Sequence, residues 1–135
     1  MSPRLLQLIN AARREDWERV DSLITQAAQL PETLQWALVT LQHSNQDKPS
    51  KYTAAEHDQL RDLAASIFEM SDVGLTDSAI IVLRHTMLSD SNEFARYRAA
   101  FALYKHSCID DDVIKTVKLA AHHPDTAKIA QQYLD

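Results

Sequence analysis

Glycine is almost missing: Gly74 is the only one in 135 residues. Glycine supplies the positive-φ positions that tight hairpins need, so its scarcity counts against a strand-rich fold and, with alanine and leucine abundant, points to an all-α chain. Cysteine is equally scarce. Cys108 has no second cysteine to pair with, so the chain needs no oxidising compartment. Long apolar stretches are absent too, and the strongly apolar run at residues 79–83 is far too short to cross a bilayer. The opening Met1-Ser2-Pro3-Arg4-Leu5-Leu6-Gln7-Leu8 hints at a signal peptide. Gln7 and Asn10 break its apolar stretch, however, and Arg13-Arg14-Glu15-Asp16 stands where a small-residue cleavage site should lie. The expectation is a cytoplasmic protein with no membrane insertion. Positive charge is also in short supply, with 14 lysines and arginines against 19 acidic residues, a net charge of −5. That balance repels nucleic acid and anionic lipid at long range, so neither is an expected partner. The arginines at positions 4, 13, 14 and 19 are nearly cancelled by Glu15, Asp16 and Glu18 and read as a solvated helix surface.

What the chain does have is helical periodicity, in about eight segments. Residues 3–14 carry Leu5, Leu8, Ile9 and Ala12 behind Pro3, which suits a first helical turn; 16–29 carry Trp17, Val20, Leu23, Ile24 and Ala27; 31–43 carry Leu34, Ala37, Leu38 and Leu41. The stretch 44–52 has no periodicity and is expected to be the one real loop. It ends at Thr53-Ala54-Ala55-Glu56, a capping box, before a helix on Leu60, Leu63, Ala64 and Ile67. Thr76 or Asp77 caps a helix expected to bury Ile80, Ile81, Leu83, Met87 and Leu88. The helix at 92–106 is apolar almost all round, with Phe94, Tyr97, Phe101 and Tyr104 on one stripe, and so belongs between neighbours. Asp110-Asp111-Asp112 starts a helix on Val113, Val117 and Ala120, and a last short helix carries Ile129, Ala130, Tyr133 and Leu134.

One phrase occurs twice, 35 residues apart. Leu60-Arg61-Asp62-Leu63-Ala64-Ala65-Ser66-Ile67-Phe68 lines up with Ala95-Arg96-Tyr97-Arg98-Ala99-Ala100-Phe101-Ala102-Leu103. Asp90 and Asp125, which close the helices that follow, share that spacing. A period of this size is the signature of a helical solenoid, in which each repeat buries its face by stacking on the next. The chain is therefore expected to be one domain, 1–135, with N-terminal helices or cap at 1–43, the loop at 44–52 and repeats at 53–135. An irregular helical bundle is the alternative.

The phrase, with Ser89-Asp90 before it, Arg96 within it and Ala99-Ala100-Phe101-Ala102-Leu103 closing it, resembles the HEAT-repeat family, and the likeness extends over about residues 55–134. The resemblance implies a short right-handed α-solenoid of antiparallel helix pairs. It also implies a structural ladder between repeats, carried by Asp90, Arg96 and Asp125; on their residues alone these read equally as a surface charge pair contributing under about 1 kcal/mol. Partner binding on the inner face of the second helices is a further implication. HEAT-like families include phycobilin lyases and related phycobilisome proteins, which the chain resembles by repeat type. That implies an alternative function, an accessory or lyase-type protein handling a bilin or other planar ligand, with Arg84, Arg96 or Arg98 gripping propionates. HEAT-like DNA glycosylases are disfavoured by the acidity.

No catalytic constellation is visible. His122-His123 with Asp125 is the densest polar cluster, but adjacent histidines diverge by about 100° on a helix and no i, i+4 histidine pair exists, so no metal site is expected. His106 and Cys108 sit two apart near a helix end with no oxyanion loop beside them, which favours a small buried thiol over a nucleophile. There is no phosphate-binding glycine loop, and no cofactor is expected. The leading expectation is a non-catalytic scaffold or adaptor module that binds a protein partner. The residues expected to carry the contact are Val82 and His85 on one second helix, beside Ser78 and Thr86, and Lys115, Lys118 and His122 on the next, beside Asp111.

Overall fold

Each helix start in this chain has to find acceptors for its free amides, and the sequence supplies them locally. In the computed structural model, which describes residues 1–42 and 51–135, Ser2 caps α1 (Pro3–Arg13) and Asp16 caps α2 (Trp17–Ala27). After α3 (Pro31–Gln42), the Thr53 hydroxyl and Glu56 carboxylate form both bonds of the capping box that opens α4 (Ala54–Met70). Thr76, Asn92 and Asp110 cap α5 (Asp77–Ser89), α6 (Glu93–Lys105) and α7 (Asp111–Ala120), and α8 (Ala127–Leu134) follows without a side-chain cap. The described residues thus hold eight helices and no strand, as the glycine-poor composition predicts. The loop expected at 44–52 lies outside the described residues, except for Lys51 and Tyr52. No helix among the described residues is long and apolar enough to cross a membrane.

Helix exits are solved without glycine. At the end of α1, Glu15 takes φ 57°, its N–H reaching Ala12 O while that of Asp16 reaches Ala11 O. At the end of α6, Ser107 takes φ 64°, with its N–H on Tyr104 O and that of Cys108 on Leu103 O. Both are Schellman closures, where glycine is the usual left-handed residue. Gly74 has no positive φ.

The first three helices cover α4, which also packs along its length on α6. In turn α6 lies between α4, α5, α7 and α8, as its all-round apolar surface requires: Ala95, Ala99, Ala100, Phe101, Ala102 and Leu103 are fully buried. The two small pairs of the repeated phrase, Ala64-Ala65 and Ala99-Ala100, are fully buried on these adjacent helices. Helix α5 leans on α3 and α6 rather than chiefly on α4.

That placement of α5 corrects the expected core. With α3 and α6 both against it, α5 buries Ala79, Leu83, Thr86 and Met87 and half-buries Ile80 and Val82. Ile81 and Leu88, expected inside, stand 68% and 56% exposed. Val82 and Thr86, expected on the open face, face inward instead; the Thr86 hydroxyl satisfies itself on Val82 O at 2.9 Å. The neighbour that turned the helix, α3, lies far upstream, so local periodicity carried no trace of it.

The small pair on α6 sets how closely its neighbours approach. Replacing Ala99 or Ala100 by Leu is expected to overpack this contact and cost about 1–3 kcal/mol in chemical denaturation. Unchanged unfolding midpoints for both variants would contradict the packing described.

Candidate functional site

The α5–α6 turn is a heavily bonded joint. Arg61 on α4 donates from Nε to Asp90 Oδ2 at 2.8 Å, with side chains only 5% and 3% exposed, and also pairs with Asp58. The other Asp90 oxygen accepts the Asn92 N–H at 2.8 Å, its backbone carbonyl accepts from Arg96 Nη1 at 2.7 Å, and Asn92 Nδ2 reaches Asp58 O at 3.0 Å. Asp90 and Arg96 therefore meet, but through the Asp90 carbonyl, while the carboxylate serves Arg61 one period upstream. Asp125 takes no part: its N–H reaches only His123 Nδ1, at 3.1 Å, and its carboxylate faces a groove.

That groove, of about 610 Å³, is floored by α4 and α6 and walled by α2 on one side and the α7–α8 turn on the other. Its floor holds a buried charge network. Arg98 on α6 sits between two α4 carboxylates seven residues apart, with Nε 3.6 Å from Asp62 and Nη1 3.7 Å from Glu69. Tyr133 on α8 donates its hydroxyl to Glu69 Oε2 at 2.7 Å and stacks on Phe101, with ring centroids 5.5 Å apart. Burial is the larger influence on both carboxyls and pushes them above the ordinary carboxylate range, with Arg98 opposing it. Burial and the facing Glu69 push the Tyr133 hydroxyl upward as well. Trp17, assigned by periodicity to the core, is 36% exposed at the rim of this groove.

Two further exposed stripes lie on α5 and on α7 with the turn after it. On α7 the exposed stripe comprises Asp111, Lys115, Lys118, Leu119 and His122, with Ile114 half-buried beside them. On α5 it comprises Ser78, Ile81, His85 and Leu88. Arg84 ties the two helices by pairing with Asp110 and, at 3.9 Å, with Asp112. Of the residues expected to bind a partner, His85, Lys115, Lys118 and His122 are thus exposed, whereas Val82 is partly buried against the core. All three arginines considered as propionate grips have protein partners: Arg84 at the start of α7, Arg96 on Asp90 O, Arg98 in the groove floor.

The histidine and cysteine clusters resolve into helix-end chemistry. His106 Nε2 lies 2.9 Å from Phe68 O, and because a carbonyl only accepts, that nitrogen carries the proton. With Lys105 Nζ on Ser71 O at 3.2 Å and Gln29 Nε2 on Met70 O at 3.2 Å, it satisfies the carbonyls that end α4. Cys108 is free and half-buried, its Sγ on His106 O at 3.6 Å. His123 packs edge-on against Phe94 with centroids 4.9 Å apart, while His122 faces outward. Among the described residues no three histidine, cysteine or acidic side chains converge as metal ligands would.

Among the described residues, all helical or in turns, these arrangements leave a charged groove and a partly apolar face that carries Lys115 and Lys118. In comparisons with known proteins, no family model, curated protein or solved structure matches the chain.

The groove carboxyls give a pH prediction. A carboxyl whose folded value lies above its unfolded one contributes stability while protonated, and that contribution is lost as pH rises from the ordinary values of 3.8 for Asp62 and 4.5 for Glu69 through their raised folded values. Unfolding free energy is therefore expected to carry a falling component across that window, and Glu69→Gln should reduce it. Identical pH profiles for the parent and Glu69→Gln would contradict the assignment.

Proposed function

We propose that the chain is a non-catalytic interaction module, a HEAT-like, short right-handed α-solenoid of antiparallel helix pairs that docks a protein partner on the face of α5 and α7. The observation that carries this reading is the exposure of three large aliphatic side chains there, Ile81 at 68%, Leu88 at 56% and Leu119 at 52%. Completing the burial of each would yield roughly half of the about 1.5–3 kcal/mol that a fully exposed aliphatic side chain gains, a gain that folding alone leaves unused. Lys115 and Lys118 flank Leu119 on α7, so the fitting partner is an apolar surface edged with acidic groups. The 35-residue phrase supports the repeat build, since its two copies fall on neighbouring helices, α4 and α6, with their small pairs buried. The engagement of His106, Arg84 and Arg96 in structural bonds supports the adaptor reading.

Two surface variants test the reading. Ile81→Glu with Leu119→Glu, and Lys115→Glu with Lys118→Glu, are expected to shift stability by about 0.5 kcal/mol or less per site, because the positions are exposed. Both should lose the same protein from affinity capture out of the source cell, as read by mass spectrometry. The charge effect should shrink as salt rises. Retention of every captured protein by both variants would overturn the proposal.

A further inference from the structure

The groove on the α2 side shares no residue with the α5–α7 face, and its chemistry is the opposite. Five carboxylates line it, from Glu15, Asp21, Asp62, Glu69 and Asp125, against the single guanidinium of Arg98, an excess of four negative charges when all are ionised. At the rim, Asp21 and Asp125 are exposed and have no ion-pair partner among the described residues. In the floor, the charge network is incomplete. Arg98 stands 3.6 and 3.7 Å from its two carboxylates, beyond hydrogen-bond reach, and its buried Nε has no acceptor. Glu69 is only 6% exposed, yet just one of its oxygens, Oε2, has a hydrogen bond; Oε1 has only Arg98, at 3.7 Å. Trp17 and Met70, each 36% exposed, add aromatic and thioether surface to the same cavity.

We propose that this groove is a docking site for an arginine-bearing segment of a protein partner, one guanidinium entering the space between the Trp17 wall and the Glu69 floor. Charge complementarity selects a cation. The planar guanidinium presents a fork of donors that suits carboxylate oxygens and stacks on an indole face, while its aliphatic stem covers apolar wall. At about 610 Å³ the cavity has room for a side chain and its flanking backbone, well beyond a lone ammonium ion. The inference goes beyond the α5–α7 reading and stands or falls apart from it.

The test uses a fluorescently labelled nine-residue peptide of alternating arginine and leucine, its glutamate–leucine counterpart and spermidine, each titrated against the full chain and followed by anisotropy. The arginine peptide is expected to bind saturably, more weakly as salt rises, and about tenfold more weakly to the Asp21→Asn/Asp125→Asn variant. Two exposed charge pairs together supply roughly the 1.4 kcal/mol that a factor of ten represents. These rim side chains make no ion pairs, so the variant should melt close to the parent. In a Trp36→Phe background, where Trp17 is the remaining tryptophan, its emission should shift with the same midpoint. The Lys115→Glu/Lys118→Glu variant should bind the peptide at least as well as the parent, which separates this site from the α5–α7 face. Equal binding of the glutamate peptide, equal affinity in the Asp21→Asn/Asp125→Asn variant, or displacement by spermidine at matched concentration would overturn the proposal, the last by making a free polyamine the occupant.

Discussion

The buried ion pair between Arg61 and Asp90 is the constraint on which the arrangement of helices depends. Both side chains are almost wholly withdrawn from water, so each charge depends on its partners: Arg61 on Asp90 at 2.8 Å and on Asp58, Asp90 on Arg61 and the Asn92 N–H. The pair fixes the α5–α6 turn against the middle of α4, and the bonds from Arg96 to Asp90 O and from Asn92 to Asp58 O leave that turn little freedom. Once the turn is placed, α6 runs along α4 with small residues facing the contact. Leu63, Ile67, Phe101 and Leu103 fill the space around them. The polar joint sets the register, and the alanine pairs let the helices close on it.

Both surfaces of interest are consequences of that register. Asp62 and Glu69 lie seven residues apart on α4, on the side that meets Arg98 of α6, so the groove floor exists only when the two helices hold this alignment. On the other side of the sequence, α5 rests on α3 and α6, which turns Ile81 and Leu88 outward. Charge follows the same division. Acidic side chains gather in the groove, and Lys115, Lys118 and His122 line α7. A net charge of −5 conceals this separation.

Local order was legible in the sequence because it is written in local chemistry. The Thr53–Glu56 capping box, the cap at Thr76 and the aspartate at Asp110 set helix starts through bonds to amides two or three residues away. Relations between distant segments were not. The wheel of α5 alone places Val82 on the open side and Ile81 in the core, because it cannot reveal that α3 covers one of the helix's flanks. The ladder expected of Asp90, Arg96 and Asp125 puts the right residues near one joint, but the buried partner is Arg61, while Asp125 belongs to the groove. The groove itself left one trace, Asp62 and Glu69 in a helix otherwise rich in buried apolar residues and opposite in sign to Arg98 on the neighbouring α6. Glu15 and Ser107 in the left-handed region left none, since nothing in their types announces a Schellman closure.

A double-mutant cycle on Arg61 and Asp90 tests the central claim most directly. Unfolding free energies would be measured for Arg61→Met, Asp90→Ala and the pair together. A buried, mutually dependent ion pair predicts that each single change costs about 3–5 kcal/mol, and that the double change costs no more than the worse single one, because with both groups gone the pair leaves no uncompensated buried charge. Single costs under about 1 kcal/mol that simply add would show an exposed, independent pair, and would contradict the account of how α4 and α6 are held.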